Sequence, residues 1–229
     1  MNPVVLIPGM MCDARMWGGL PSALSPRAIH HALPVGAESV EALATIILKI
    51  APPRFALAGL SMGGIVAMEI LRQASDRVTH LALLDTNPLA ETADIQACRL
   101  AQIAKVEAGG LAEIMRDEMK PNYLKPGSGQ PPILELCMDM AMTLGPEVFI
   151  SQSRALASRA DQQATLAAFK GPALILMGED DQLCPRSRHD LMHKLTPQSR
   201  LVIVEGAAHL PTLEQPIKTT AALRRWLEE

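Results

Sequence analysis

Gly59-Leu60-Ser61-Met62-Gly63-Gly64 follows directly on the apolar run Phe55-Ala56-Leu57-Ala58. The hexapeptide satisfies G-x-S-x-G, the pattern in which a strand ends, the chain reverses sharply at a serine and a helix begins. Strand and helix crowd together in such a turn, so a Cβ at Gly59 or Gly63 would clash. The turn pushes Ser61 Oγ out of the backbone into a cleft. It also leaves the Met62 N–H at a helix N-terminus, aimed where an oxyanion can form. The competing reading is a glycine-rich strand-to-helix turn with an incidental serine, and the rest of the chain argues against it.

A hydroxyl is a weak nucleophile and needs a base, and the base needs an orienting acid. His209 lies in Glu205-Gly206-Ala207-Ala208-His209-Leu210-Pro211, just after the apolar segment Leu201-Val202-Ile203-Val204. Small residues before it suit a loop that brings an imidazole close to another backbone. Asp181 lies in Gly178-Glu179-Asp180-Asp181-Gln182-Leu183-Cys184-Pro185, after the strand-like run Ala173-Leu174-Ile175-Leu176-Met177. Serine, acid and histidine thus each follow an expected strand. Side chains beyond the C-terminal ends of parallel strands share one rim of the sheet.

Apolar runs bounded by turn residues predict strands at Val4–Ile7, Ile29–Leu33, Phe55–Gly59, Leu81–Asp85, Ala173–Met177 and Leu201–Val204. Most are continuous rather than alternating, as in strands covered on both faces. Helical patterns alternate with them. Val40–Ile50 carries Val40, Leu43, Ile47 and Ile50 on one face behind a Ser39 cap, followed by Ser61–Gln73, Arg186–Leu195 and Pro216–Leu227. Alternation of this kind predicts an α/β fold: a parallel sheet with helices on both faces. From Asn87 to Lys170 no strand is evident. Four helices are expected near Ala93–Ala108, Leu111–Met119, Pro132–Leu144 and Pro146–Ser158, with a break from Pro121 through Pro132 marked by Gly127 and Gly129.

The ensemble of motifs resembles the α/β-hydrolase superfamily over nearly the whole chain. Val4-Val5-Leu6-Ile7-Pro8-Gly9 is similar to the family's first oxyanion segment, with Pro8 where histidine is usual. Gly178-x-x-Asp181-x-x-x-Pro185 is similar to its acid loop, and Gly206-x-x-His209 with Glu214-x-Pro216 to its histidine loop. With Leu83-Leu84-Asp85-Thr86-Asn87-Pro88, the elbow looks most like small bacterial carboxylesterases, the pimeloyl-carrier-protein methyl ester esterases and 3-oxoadipate enol-lactonases among them. The resemblance implies a mostly parallel sheet of about six strands, with the family's initial hairpin missing. It also implies an inserted helical lid over residues 91–160, flanked by core segments 1–90 and 161–229. The Met10 N–H becomes the second oxyanion donor beside Met62. Asp85 rivals Asp181, because some members take the acid from that earlier strand.

Composition narrows the classes. The chain has 229 residues, nearly half of them apolar, and a formal net charge of −3 with no basic stripe. That argues against disorder and against a nucleic-acid partner. No apolar run is long enough to span a membrane, and Met1-Asn2-Pro3 leads straight into an expected core strand, so a cytoplasmic protein is expected. Cys12, Cys98, Cys137 and Cys184 lack metal or C-x-x-C spacing and are expected as free thiols. His189 and His193 stand i, i+4 on an expected helix, but without the H-E-x-x-H pattern, so no metal is expected. Thirteen methionines suit an adaptable acyl pocket. Met11, Met138 and Met142 are the candidates for substrate contact, against plain core packing. Arg154 and Arg159 are either ligands for an anionic tail or ordinary exposed arginines.

The expectation is a serine hydrolase of a small-molecule ester, thioester or lactone, acting as monomer or homodimer without a cofactor. Ser61 would be nucleophile, His209 base and Asp181 its orienting acid. Carbon–carbon bond hydrolysis, a lyase on the same three residues, and a non-catalytic ligand-binding scaffold are the alternatives. Serine at the elbow excludes the aspartate chemistry of haloalkane dehalogenases and argues against the cysteine chemistry of dienelactone hydrolases.

Overall fold

The computed structural model describes residues 1–124 and 131–229. Six strands form one sheet: β1 (Val4–Ile7), β2 (Ile29–His31), β3 (Phe55–Leu60), β4 (Val78–Leu84), β5 (Ala173–Gly178) and β6 (Arg200–Val204). Their order is β2-β1-β3-β4-β5-β6, with every neighbouring pair parallel. Successive residues of a strand point to opposite faces, and every residue of β1, β3 and β5 is buried. Both faces of the central sheet are therefore covered, which explains the continuous apolar runs. The chain moves outward from β1 to β2 and then returns to the other side of β1 at β3. That reversal opens a crevice beyond the C-terminal ends of β1 and β3, where ligands of open parallel sheets bind.

α1 (Val40–Ile50) starts at Ser39, whose Oγ accepts the Ala42 N–H at 3.2 Å. It buries Val40, Leu43, Ala44 and Ile47, while Ile50, expected on the same face, is exposed at the helix end. α2 (Met62–Gln73) is buried continuously from Met62 to Leu71, because it is enclosed by α1 and by β1, β3 and β4. The C-terminal helix Pro216–Trp226 lies against β4, β5 and β6.

Between β4 and β5 the described residues are helical, as expected: α3 (Ala93–Glu107), an α-helical turn Leu111–Glu113 that widens into π geometry over Ile114–Met119, α4 (Pro131–Leu144) and α5 (Pro146–Ala157). A short helix, α6 (Gln163–Ala168), follows them and was not foreseen. The expected break at Pro121–Pro132 falls in part, with Gly127 and Gly129, outside the described residues; Pro131 and Pro132 open α4. Strand bounds differ from expectation by a few residues. β2 stops at His31, and β4 starts at Val78 and ends before Asp85. Among the described residues no helix is long and apolar enough to cross a membrane, and all four cysteines are free.

Candidate active site

Among the described residues three non-glycine residues have positive φ: Met11 (54°), Ser61 (55°) and Asp85 (44°). They follow the C-terminal ends of β1, β3 and β4, so the strained backbone gathers at one rim. Each such residue costs about 1–3 kcal/mol and persists only where its surroundings over-determine it. At Ser61 the constraint is visible. Its N–H donates to the Leu84 carbonyl at 2.9 Å, and Thr86 Oγ1 donates to its own carbonyl at 2.7 Å. The two flanking glycines are obligatory. A Cβ on Gly63 would lie 2.0 Å from the Ile7 carbonyl oxygen, and one on Gly59 would lie 2.2 Å from that of Gly63.

The sharp turn delivers Ser61 Oγ to His209 Nε2 at 2.9 Å. His209 Nδ1 stands 2.9 Å from Asp181 Oδ2, and both of those residues are buried. Asp181 Oδ1 accepts the N–H groups of Leu183 and Cys184 at 2.8 and 3.1 Å. Burial pushes the Asp181 carboxyl up. The facing His209 and the two N–H donors outweigh that and hold it below the usual range. Asp85, the rival acid, does not face His209. Its Oδ1 accepts the Gly178 N–H at 2.8 Å, and its buried Oδ2 has no donor among the described residues. Burial, and then the Asp181 charge, push the Asp85 carboxyl well up.

The His209 loop is held by residues to which sequence reasoning gave no such holding role. Glu214, buried in the turn before the last helix, accepts the N–H groups of Ala208 and Leu210 on Oε1, at 3.0 and 2.9 Å. It thus clamps the backbone on either side of the imidazole. The His209 N–H donates to the Tyr123 carbonyl at 3.0 Å, and the two rings stack with centroids 6.3 Å apart. Gln152 of α5 accepts the Met11 N–H at 2.9 Å and donates to the Pro34 carbonyl at 3.0 Å, fixing the turn after Gly9-Met10. Glu214 sits in the Glu214-x-Pro216 motif, which was a usable signal. Gln152 and Tyr123 reach their partners over large sequence separations, and no local pattern marks them.

A cavity of about 400 Å³ opens on Ser61 and His209. Met10 and Met62 line it, and neither N–H has a protein acceptor among the described residues. The cavity does not include the three methionines expected to touch substrate. Met11 is wholly buried in the core. The buried face of α4 is Cys137, Met140 and Ala141, which leaves Met138 partly buried off that face and Met142 49% exposed. Met16 and Met119 line the cavity instead. Arg159 is buried in its wall, whereas Arg154 is exposed and pairs with Glu38 at 2.6 Å.

Ligand atoms of Asp181, Cys184 and His209 lie within 4.8 Å of one another. His209 Nδ1 and Asp181 Oδ2 are already engaged with each other there. Burial pushes the Cys184 thiol well up, so it is no ready thiolate ligand. His189 is buried and pushed down to about 4 by that burial. His193 Nδ1 is engaged with Ser199 Oγ at 2.7 Å.

A model of the alpha/beta hydrolase family matches residues 4–223. The pimeloyl-[acyl-carrier protein] methyl ester esterase of Klebsiella pneumoniae (strain 342) is 25% identical over 232 residues, covering 93% of this chain and 88% of that protein. A malate-bound thermophilic esterase from Thermogutta terrifontis superposes with a TM-score of 0.90 at 28% identity, covering 100% of this chain and 90% of that one. The enol-lactonase of Burkholderia xenovorans LB400 has the same fold, with a TM-score of 0.87 at 20% identity and coverage of 100% and 92%.

Proposed function

The chain belongs to the alpha/beta hydrolase family, and from that premise we propose that it cleaves carboxylic esters through Ser61, His209 and Asp181. The observation that carries this reading is the continuous relay Ser61 Oγ–His209 Nε2 and His209 Nδ1–Asp181 Oδ2, each contact 2.9 Å. Its relatives named as esterases support the reaction class.

In this reading His209 Nε2 takes the Ser61 proton as Oγ attacks the acyl carbon. The tetrahedral oxyanion accepts hydrogen bonds from the Met62 and Met10 N–H groups, the first at the N-terminus of α2 where no intrahelical acceptor exists. Asp181 accepts a hydrogen bond from Nδ1–H, which holds the tautomer with Nε2 free and stabilises the imidazolium. His209 then protonates the leaving alcohol. Water, deprotonated by the same nitrogen, attacks the acyl-enzyme and releases the acid. The steps are the same for an ester, a thioester or a lactone, and no group outside the chain is needed. Residues 91–160 act as a lid that shapes the cavity, since Thr92, Arg99, Met119, Tyr123 and Leu156 all line it.

Ser61→Ala removes only Oγ and leaves the turn intact. Turnover of p-nitrophenyl acetate is expected to fall by about 10⁴–10⁶-fold at an unchanged melting temperature. Wild-type rates in the folded variant would remove Ser61 from the chemistry.

A further inference from the structure

The cavity wall has a charge imbalance that ester hydrolysis does not require. Among the described residues lining it, Arg99, Arg159 and Arg188 are cationic and Glu91, its side chain buried, is the single carboxylate to balance them. Both oxygens of Glu91 are committed: Oε2 to Arg99 Nε at 2.6 Å and Oε1 to Arg159 Nη2 at 2.8 Å. Arg159 is buried and further anchored by Nε to the Leu89 carbonyl at 2.9 Å. Arg99, with its side chain 17% exposed, turns Nη1 toward Met10 Sδ at 3.9 Å. Arg188 is half-buried, and its guanidinium has no acceptor among the described residues.

Each guanidinium carries five N–H donors, so most of the donors on these three remain after the contacts above. None of their nitrogens is both sealed from solvent and unpartnered, and all three residues line the cavity, so the spare donors are open to an incoming ligand. Cations partly withdrawn from water without matching carboxylates are unfavourable for the empty protein. A purely structural cluster would match cation with anion. This one matches a single carboxylate against three cations, beside the apolar side chains of Met10, Met16, Leu60, Met62, Ile65 and Leu156. Through Met10, the Arg99 guanidinium stands next to the proposed oxyanion donor.

We propose that the substrate is itself an anion: a short ester that carries a free carboxylate a few bonds from the scissile carbonyl, as in the half-ester of a dicarboxylic acid. The carboxylate docks on Arg99, Arg159 and Arg188, while the chain between it and the ester lies on the methionines. Carboxylate and guanidinium pair bidentately, so the arrangement selects the anion by geometry as well as by charge. The inference rests on the hydrolase reading above, but its binding half can be read without turnover.

The experiment compares monomethyl glutarate and monomethyl adipate with methyl pentanoate, with each kcat/KM divided by that ester's own hydroxide-catalysed rate so that intrinsic reactivity cancels. In parallel, calorimetry measures glutarate binding to the Ser61→Ala protein. Hydrogen bonds to a charged partner translate into an expected preference of about 10–100-fold for the half-esters. Arg188→Met should reduce that preference about tenfold and weaken glutarate binding to the same degree, without changing the melting temperature. Arg188 anchors nothing else, so this variant avoids the folding risk of Arg159→Met. Arg154→Met, outside the cavity, should leave the preference as it is. Equal turnover of charged and neutral esters with no glutarate binding would overturn the proposal while the hydrolase reading stands. Glutarate binding that depends on Arg188, in a protein that turns over no ester, would uphold the anion site and overturn the hydrolase reading instead.

Discussion

Asp85 and Asp181 are two buried carboxyls at the ends of adjacent strands, and their surroundings drive them apart. Asp181 receives two backbone N–H donors and the imidazole, and is held down. Asp85 has one N–H donor and an unpartnered oxygen, and is held up. Asp181→Asn should therefore favour the wrong imidazole tautomer and cost about 10⁴-fold in kcat, as in the serine protease case. Asp85→Asn keeps an oxygen that can accept the Gly178 N–H and should cost less than about tenfold, within the range of a single hydrogen bond. A deeper loss at Asp85 would transfer the acid role to it. Asp85 also makes a stability prediction. Its folded pKa lies above its unfolded value, so the folded state binds the extra proton between the two. Stability then declines as pH rises from about 4, the unfolded value, toward the raised folded one. Asp85→Asn removes that slope, so its melting temperature should gain on the wild type as pH rises from 4 to 8. A gap that does not widen would mean that Asp85 is ionised in the fold.

The element that positions the base is the loop between β6 and the last helix, and it is held by hydrogen bonds rather than by regular structure. Glu214→Ala would leave the buried Ala208 and Leu210 N–H groups unsatisfied, at about 1–3 kcal/mol each. The melting temperature and kcat should both drop, with KM little changed because Glu214 lies outside the cavity wall. Glu214→Gln keeps one acceptor and should recover part of both. A variant that loses stability but retains full kcat would show that the clamp does not hold the imidazole. In the helical segment, Met119 sits at the end of the π-helical stretch and lines the cavity, whereas Met142 faces solvent. Met119→Ala should shift the preferred acyl length, by about 1–3 kcal/mol per methylene, and Met142→Ala should not. A profile of kcat/KM from acetate to octanoate esters separates the two.

At the scale of the whole molecule, the centre of the sheet was legible because burial on both faces of β1, β3 and β5 writes continuous apolar runs. The relay was legible because parallel strands put their C-terminal ends on one rim, so three loops far apart in sequence converge. Strand ends were less legible. β4 begins at Val78, where Thr79 and His80 are only half-buried and break the apolar run. The cavity wall was the least legible part. Arg99, Arg188 and Met119 reach it from helices whose orientation depends on tertiary packing, and Met11, Met138 and Met142 miss it for the same reason. The methionine content pointed to Met11, Met138 and Met142, whereas the methionines that line the cavity are Met10, Met16, Met62 and Met119.

The central claim is that the turn, the imidazole and the carboxylate together make one hydroxyl out of the whole chain nucleophilic. A fluorophosphonate reacts with such a hydroxyl and ignores ordinary ones, so peptide mapping by mass spectrometry after brief exposure is the most direct measurement. The wild type should carry one adduct, on the peptide containing Ser61. His209→Ala should slow its formation by several orders of magnitude, and Ser61→Ala should carry none. An adduct elsewhere, or an unlabelled wild-type protein that is folded by melting temperature, would contradict the account.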